Sequence, residues 1–105
     1  MIYLDNNATT RVDPAVLDAM MPFLREEYAN PSSGYEFARP ARDALAEARG
    51  EVAGLLGAAP EEIVFTACGT ESINAAIFSA VRLQPDKPLV LVSAVEHSAC
   101  LRSAE

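Results

Sequence analysis

The sequence predicts an α/β fold with a mainly parallel sheet flanked by helices. Ile63-Val64-Phe65 and Leu89-Val90-Leu91-Val92 are short, continuously apolar and rich in β-branched residues. Strands buried on both faces of a parallel sheet have that composition. An amphipathic stretch lies between them, so strand, helix and strand alternate as in a βαβ unit. The chain has 105 residues, which allows one small domain at most. Two strands are too few for a stable sheet. The chain therefore reads as an incomplete, N-terminal portion of a larger α/β protein.

The elements follow in order. Ile2-Tyr3-Leu4 is a short extended piece, and Asp5-Asn6-Asn7-Ala8-Thr9-Thr10 is a polar turn. Asp13-Pro14 signals a helix start, with Asp as N-cap and Pro at the first helical position. Val16, Leu17, Met20, Met21 and Leu24 fall on one face of that helix. Pro22 should kink or end it. Ala29 to Tyr35 reads as a loop. A second helix runs from Glu36 or Pro40 to Leu56, with Phe37, Ala41, Leu45, Ala48, Val52 and Leu55 as its apolar stripe. Gly57 stops it. After the first strand, Thr66 to Thr70 turns the chain into a third helix, Glu71 to Arg82. Its stripe is Ile73, Ala76, Ile77, Ala80 and Val81. Gln84 to Pro88 is a turn, the second strand follows, and Ser98 is placed to cap a last helix.

Half of the residues are hydrophobic and 22% are charged, a balance suited to a folded chain with a modest core. The net charge is −7, and seven of the eight basic residues are arginines. Without a basic cluster, neither nucleic acid nor an anionic membrane is an expected partner. No apolar run approaches the roughly 18 residues of a membrane helix. The N-terminus lacks the pattern of a signal peptide. Cys68 and Cys100 match no metal-ligand spacing and form no disulfide framework, which points to a reducing cytoplasm and no metal site.

Three constellations bear on chemistry. Thr66-Ala67-Cys68-Gly69-Thr70-Glu71-Ser72 joins a buried strand to a helix. A helix N-terminus offers unpaired N–H groups and partial positive charge, and a glycine lets a phosphate approach them. Thr70 and Ser72 add hydroxyl donors. The plainer reading is that Gly69 permits the turn and Thr70 caps the helix. The stretch is neither a Walker loop nor a three-glycine dinucleotide loop. His97, the only histidine, lies past the C-terminal end of a strand, where open α/β sheets bind ligands. It is either a stacking or acid–base group or a surface residue paired with Glu96. The polar loops Asp5 to Thr10 and Asn30-Pro31-Ser32-Ser33 read as turns. Cys68, at a helix start, is either a reactive thiol or a small structural residue.

Tyr3 to Thr10, Asn30 to Ser33, Ile63 to Thr66, Cys68 to Ser72 and Glu96-His97, in that order, closely resemble the start of the cysteine desulfurases. These are pyridoxal-phosphate enzymes of the class V aminotransferase superfamily. The Cys68-Gly69-Thr70 form is most similar to the nitrogenase-associated branch. The resemblance implies the type I pyridoxal-phosphate fold. Residues 1–13 would be an extended segment of the small domain, and 14–105 the start of the large cofactor-binding domain. It implies that Gly69 and Thr70 bind the cofactor phosphate. It implies that His97 stacks on the pyridine ring and helps to move protons. It also implies a homodimer that converts L-cysteine to L-alanine plus a persulfide on a catalytic cysteine. That sulfur would pass to an iron–sulfur scaffold or another acceptor protein.

The Schiff-base lysine, the aspartate facing the pyridine nitrogen and the sulfur-accepting cysteine of the family all fall beyond residue 105. Lys87, the only lysine, lies in a turn that matches no catalytic motif, and Tyr35 stands where many relatives have a histidine. The chain alone is therefore expected to be inactive. The alternatives are another class V enzyme, such as a selenocysteine lyase, and a non-catalytic phosphate-ligand or interaction module.

Overall fold

The computed structural model describes residues 2–87 and 89–105. It divides into two compact units, one ending at Ile63 and the other beginning at Val64.

In the first unit the predicted polar turn forms. Ala8 N donates to Asp5 O at 3.1 Å, and Thr10 Oγ1 donates to Asn6 Oδ1 at 2.9 Å. The Tyr3 hydroxyl lies 2.8 Å from Asp5 O and 3.0 Å from Thr9 O, so its single proton is shared between two carbonyls. Helix α1 (Pro14–Arg25) starts as expected, with Asp13 Oδ1 accepting from Ala15 N at 2.8 Å. Pro22 does not end it at once. Three more residues follow, and the N–H groups of Glu26 and Glu27 close on Pro22 O at 2.9 and 3.0 Å. The proline removes one backbone bond, and the helix stops within a turn of that gap.

Asn30 shapes the next loop, its Oδ1 accepting from Ser32 N at 2.9 Å and its carbonyl from Ser33 N at 3.0 Å. Arg42 Nη1 donates to Ser33 O at 3.1 Å and ties this loop to helix α2 (Arg39–Leu56). A 3-10 turn, Glu36–Ala38, leads into α2. The rings of Tyr28 and Phe37 pack edge to face, with centroids 5.5 Å apart. A second 3-10 turn, Pro60–Glu62, follows α2, and Arg49 Nε holds its exit by donating to Ile63 O at 3.3 Å.

Gly57 ends α2 in the left-handed region, φ 67°, and Ala58 N reaches back to Ala53 O at 2.9 Å. A Cβ at Gly57 would meet no atom within 4 Å. The cost of a side chain there is purely conformational, about 1–2 kcal/mol for a non-glycine residue in that region. Gly57→Val should lower stability by that amount in matched urea titrations. An unchanged midpoint would contradict the assignment.

The second unit holds helix α3 (Gly69–Leu83) and helix α4 (Ser98–Ser103), packed against each other. The predicted turn after α3 is present, with Lys87 N donating to Gln84 O at 2.9 Å. Pro88, its last residue, lies outside the described residues.

The two predicted strands are not strands. Among the described residues there is no β-ladder, so the α/β expectation is met by helices alone. Ile63 has extended backbone, φ −92° and ψ 123°. Leu89, Val90, Leu91 and Val92 are 76, 38, 86 and 42% exposed, an alternation with the two-residue period of extended chain. A strand exists only as part of a hydrogen-bonded ladder, and neither segment is assigned to one among the described residues. The expected core is also small. Among the described residues the buried apolar side chains are Ala29, Ala38, Ala53 and Ala99, whereas Phe37 and Leu55 of the predicted stripe are exposed. No helix among the described residues is long and apolar enough to cross a membrane.

Candidate functional site

The site forms where the chain turns into α3. Cys68 is the N-cap residue, in extended conformation, and its side chain makes no capping bond. The turn is tied from within by two later side chains. Glu71 Oε2 accepts from Ala67 N at 2.7 Å, and Ser72 Oγ lies 2.6 Å from Thr66 Oγ1. Ser72 N donates to Cys68 O at 3.2 Å. The N–H groups of Gly69, Thr70 and Glu71 have no acceptor among the described residues. Three consecutive free donors at a helix start form an anion-binding arrangement.

Two details differ from the sequence expectation. The helix begins at Gly69 rather than Glu71, so Thr70 is inside it and does not cap it. Ser72 is engaged with Thr66, because it lies one helical turn beyond Cys68 and faces back to the incoming chain. That leaves the Thr70 hydroxyl as the free side-chain donor of the pair.

His97, not Ser98, is the N-cap of α4. Its Nδ1 accepts from Ala99 N at 3.1 Å. An accepting Nδ1 carries no proton, so the neutral ring bears its proton on Nε2. Among the described residues His97 makes no ion pair with Glu96, whose N–H instead donates to Ser93 O at 3.3 Å.

Cys68, Gly69, Thr70, Ile73 and His97 line one open hollow of about 330 Å³. It brings together Cys68, Gly69, Thr70 and His97, all singled out in the sequence, and adds Ile73. Ile73 comes from the apolar stripe of α3, one turn beyond Gly69 and Thr70, a spacing that would have placed it on their face. Cys68 is exposed beside them, whereas Cys100 is half-buried in α4 and does not line the hollow. The loops at Asp5 and Asn30 belong to the first unit. Lys87 also lies outside the hollow, and no cluster of His, Cys, Asp or Glu among the described residues is arranged to hold a metal ion.

The family model for class V aminotransferases matches residues 2–105. The chain belongs to the class V aminotransferase family. Relatives of this class V chain include a cysteine desulfurase of Enterobacter agglomerans, 54% identical over 99% of the chain and 26% of the relative. The cysteine desulfurase NifS of Azotobacter vinelandii is 50% identical over 95% of the chain and 25% of that protein. Among solved structures, a NifS-like protein superposes with a TM-score of 0.86 at 41% identity, covering 97% of the chain and 28% of that structure. The chain thus follows a class V backbone while spanning about a quarter of the length of the curated relatives it matches.

Proposed function

We propose that this chain is the N-terminal part of a cysteine desulfurase, which takes sulfur from L-cysteine and leaves L-alanine. Residues 1–13 would belong to the small domain and 14–105 to the large cofactor-binding domain. The observation that carries the proposal is the hollow at the start of α3, which joins the free N–H donors of Gly69 and Thr70 to His97 in a class V chain. The desulfurase names of relatives at 50% and 54% identity support the choice of reaction.

The hollow suits the phosphate of pyridoxal phosphate. The donors are backbone N–H groups, Thr70 adds an exposed hydroxyl, and the position beside Gly69 is open, since an added Cβ would meet nothing within 4 Å. Glu71 would repel an anion, but its carboxylate is engaged with Ala67 N. Gly69 and Thr70 would hold the phosphate, and His97 would lie beside the ring. When bound, the cofactor supplies an electron sink for charge developing on the substrate carbon. With Nδ1 engaged by Ala99 N–H, His97 has only Nε2 with which to give or take a proton. A homodimer in the cytoplasm, handing sulfur to an iron–sulfur scaffold or another acceptor protein, completes the proposal.

Sulfide release from L-cysteine tests it. The full-length protein, reconstituted with pyridoxal phosphate, should release sulfide in the presence of a thiol reductant and form alanine in equal amount. The 105-residue chain, whose only lysine is Lys87 in a surface turn, should release none. A full-length protein that binds the cofactor but acts on selenocysteine alone would replace the desulfurase by a lyase.

A further inference from the structure

We infer that Asn74 and Ser103 form a positioning clamp that sets where His97 stands over the hollow, an inference that rests on the desulfurase reading. Helix α4 has six residues. A helix this short is marginal by itself, so its direction must come from what it packs on. Its N-cap is His97, so any tilt of α4 moves the imidazole. Two features tie α4 to α3. Ala99, the second residue of α4 and two residues from His97, is buried, 8% exposed. At the other end the Ser103 hydroxyl meets the side-chain amide of Asn74 on α3.

The clamp is polar and exacting. Ser103 Oγ is also 2.6 Å from Ala99 O. A hydroxyl has one proton, so both contacts are satisfied only if Ser103 donates to Ala99 O and the Asn74 amide, turned over, donates its N–H to Ser103 Oγ. Asn74 lies in α3, one turn beyond Thr70, and both residues line the groove between the helices. One side-chain pair therefore links the helix that carries the phosphate donors to the helix that carries His97. Displacements of about 1 Å at a reacting group are enough to slow a reaction strongly.

The test uses the full-length protein with Ser103→Ala, Ser103→Thr and Asn74→Ala. In the cofactor-free protein, carbethoxylation of His97 by diethylpyrocarbonate is followed by mass spectrometry. In the holoenzyme, kcat, KM for L-cysteine and the circular dichroism of the cofactor band are measured. Ser103→Ala should change the His97 modification rate and lower kcat, each on the order of fivefold, the ratio one net hydrogen bond supplies. KM should hold, and the cofactor band should change shape. Ser103→Thr, which keeps the hydroxyl, should restore all of these. Adding Asn74→Ala to Ser103→Ala should cause little further loss, because the pair acts as a unit. A wild-type modification rate in Ser103→Ala, or a threonine variant as impaired as alanine, would overturn the clamp. A protein that binds no cofactor would sink the desulfurase reading instead, and the modification rate would still decide the clamp.

Discussion

Replacing His97 by asparagine should leave the full-length protein folded and cofactor-bound but slow its turnover by about a hundredfold to ten-thousandfold, the range that a positioned proton-transfer group supplies. The choice of asparagine matters. The ring of His97, which lines the hollow, has one observed role and one proposed role: Nδ1 caps α4 by accepting from Ala99 N, and Nε2 would serve the proposed proton transfer. Alanine removes both, and loss of a cap costs about 0.5–2 kcal/mol. Asparagine is among the best N-cap residues, so it keeps an acceptor for Ala99 N while removing the imidazole. Thermal melts and kcat on L-cysteine separate the roles. His97→Ala should lose turnover and some stability, whereas His97→Asn should lose turnover alone. Full activity in His97→Asn would remove His97 from the proton-transfer role.

Cofactor affinity should fall by roughly tenfold to a hundredfold in Thr70→Val, because a hydrogen bond to a charged partner contributes about 1.5–3 kcal/mol. Thr70 lies inside α3 and caps nothing, so its loss should barely touch the helix. Gly69→Ala provides the complementary test. The protein leaves that position open, so the methyl group would disturb no protein contact. A weaker cofactor complex with an unchanged melting temperature would then locate the phosphate against Gly69. Spectrophotometric titration of the cofactor-free variants measures both effects. Wild-type affinity in both would place the phosphate elsewhere.

The helices were legible in the sequence because their signals are local. Asp13-Pro14 and Gly57 mark helix ends through the backbone geometry of a single turn, and the structure realises both. The candidate site was legible for a related reason: Gly69, Thr70 and His97 sit at helix starts, where residue type and chain geometry coincide. Strands are different. Val64 and Leu89 to Val92 have the composition of a buried sheet, but pairing depends on a neighbour that a segment's own residues cannot supply. Side-chain choices between close rivals were also beyond the sequence. Ser98 and His97 can each cap the same helix, and Thr70 and Ser72 can each serve the same anion. The chain path decided both, giving the cap to His97 and drawing Ser72 towards Thr66.

The four buried side chains among the described residues, all alanine, invert the usual map of mutational tolerance. In most interiors the damaging changes are truncations, because a large residue leaves a void. Here there is almost no volume to remove, and the vulnerable direction is growth. Ala38 and Ala53, 0 and 2% exposed, are closed off from solvent by their neighbours, so a larger side chain must displace them. A saturation library across residues 29–99 should therefore show its sharpest intolerance at these smallest side chains, rising with the size of the replacement. Leu45 and Phe37, which a hydropathy scale would rank as central, should accept polar residues more readily wherever the two units alone set the selection.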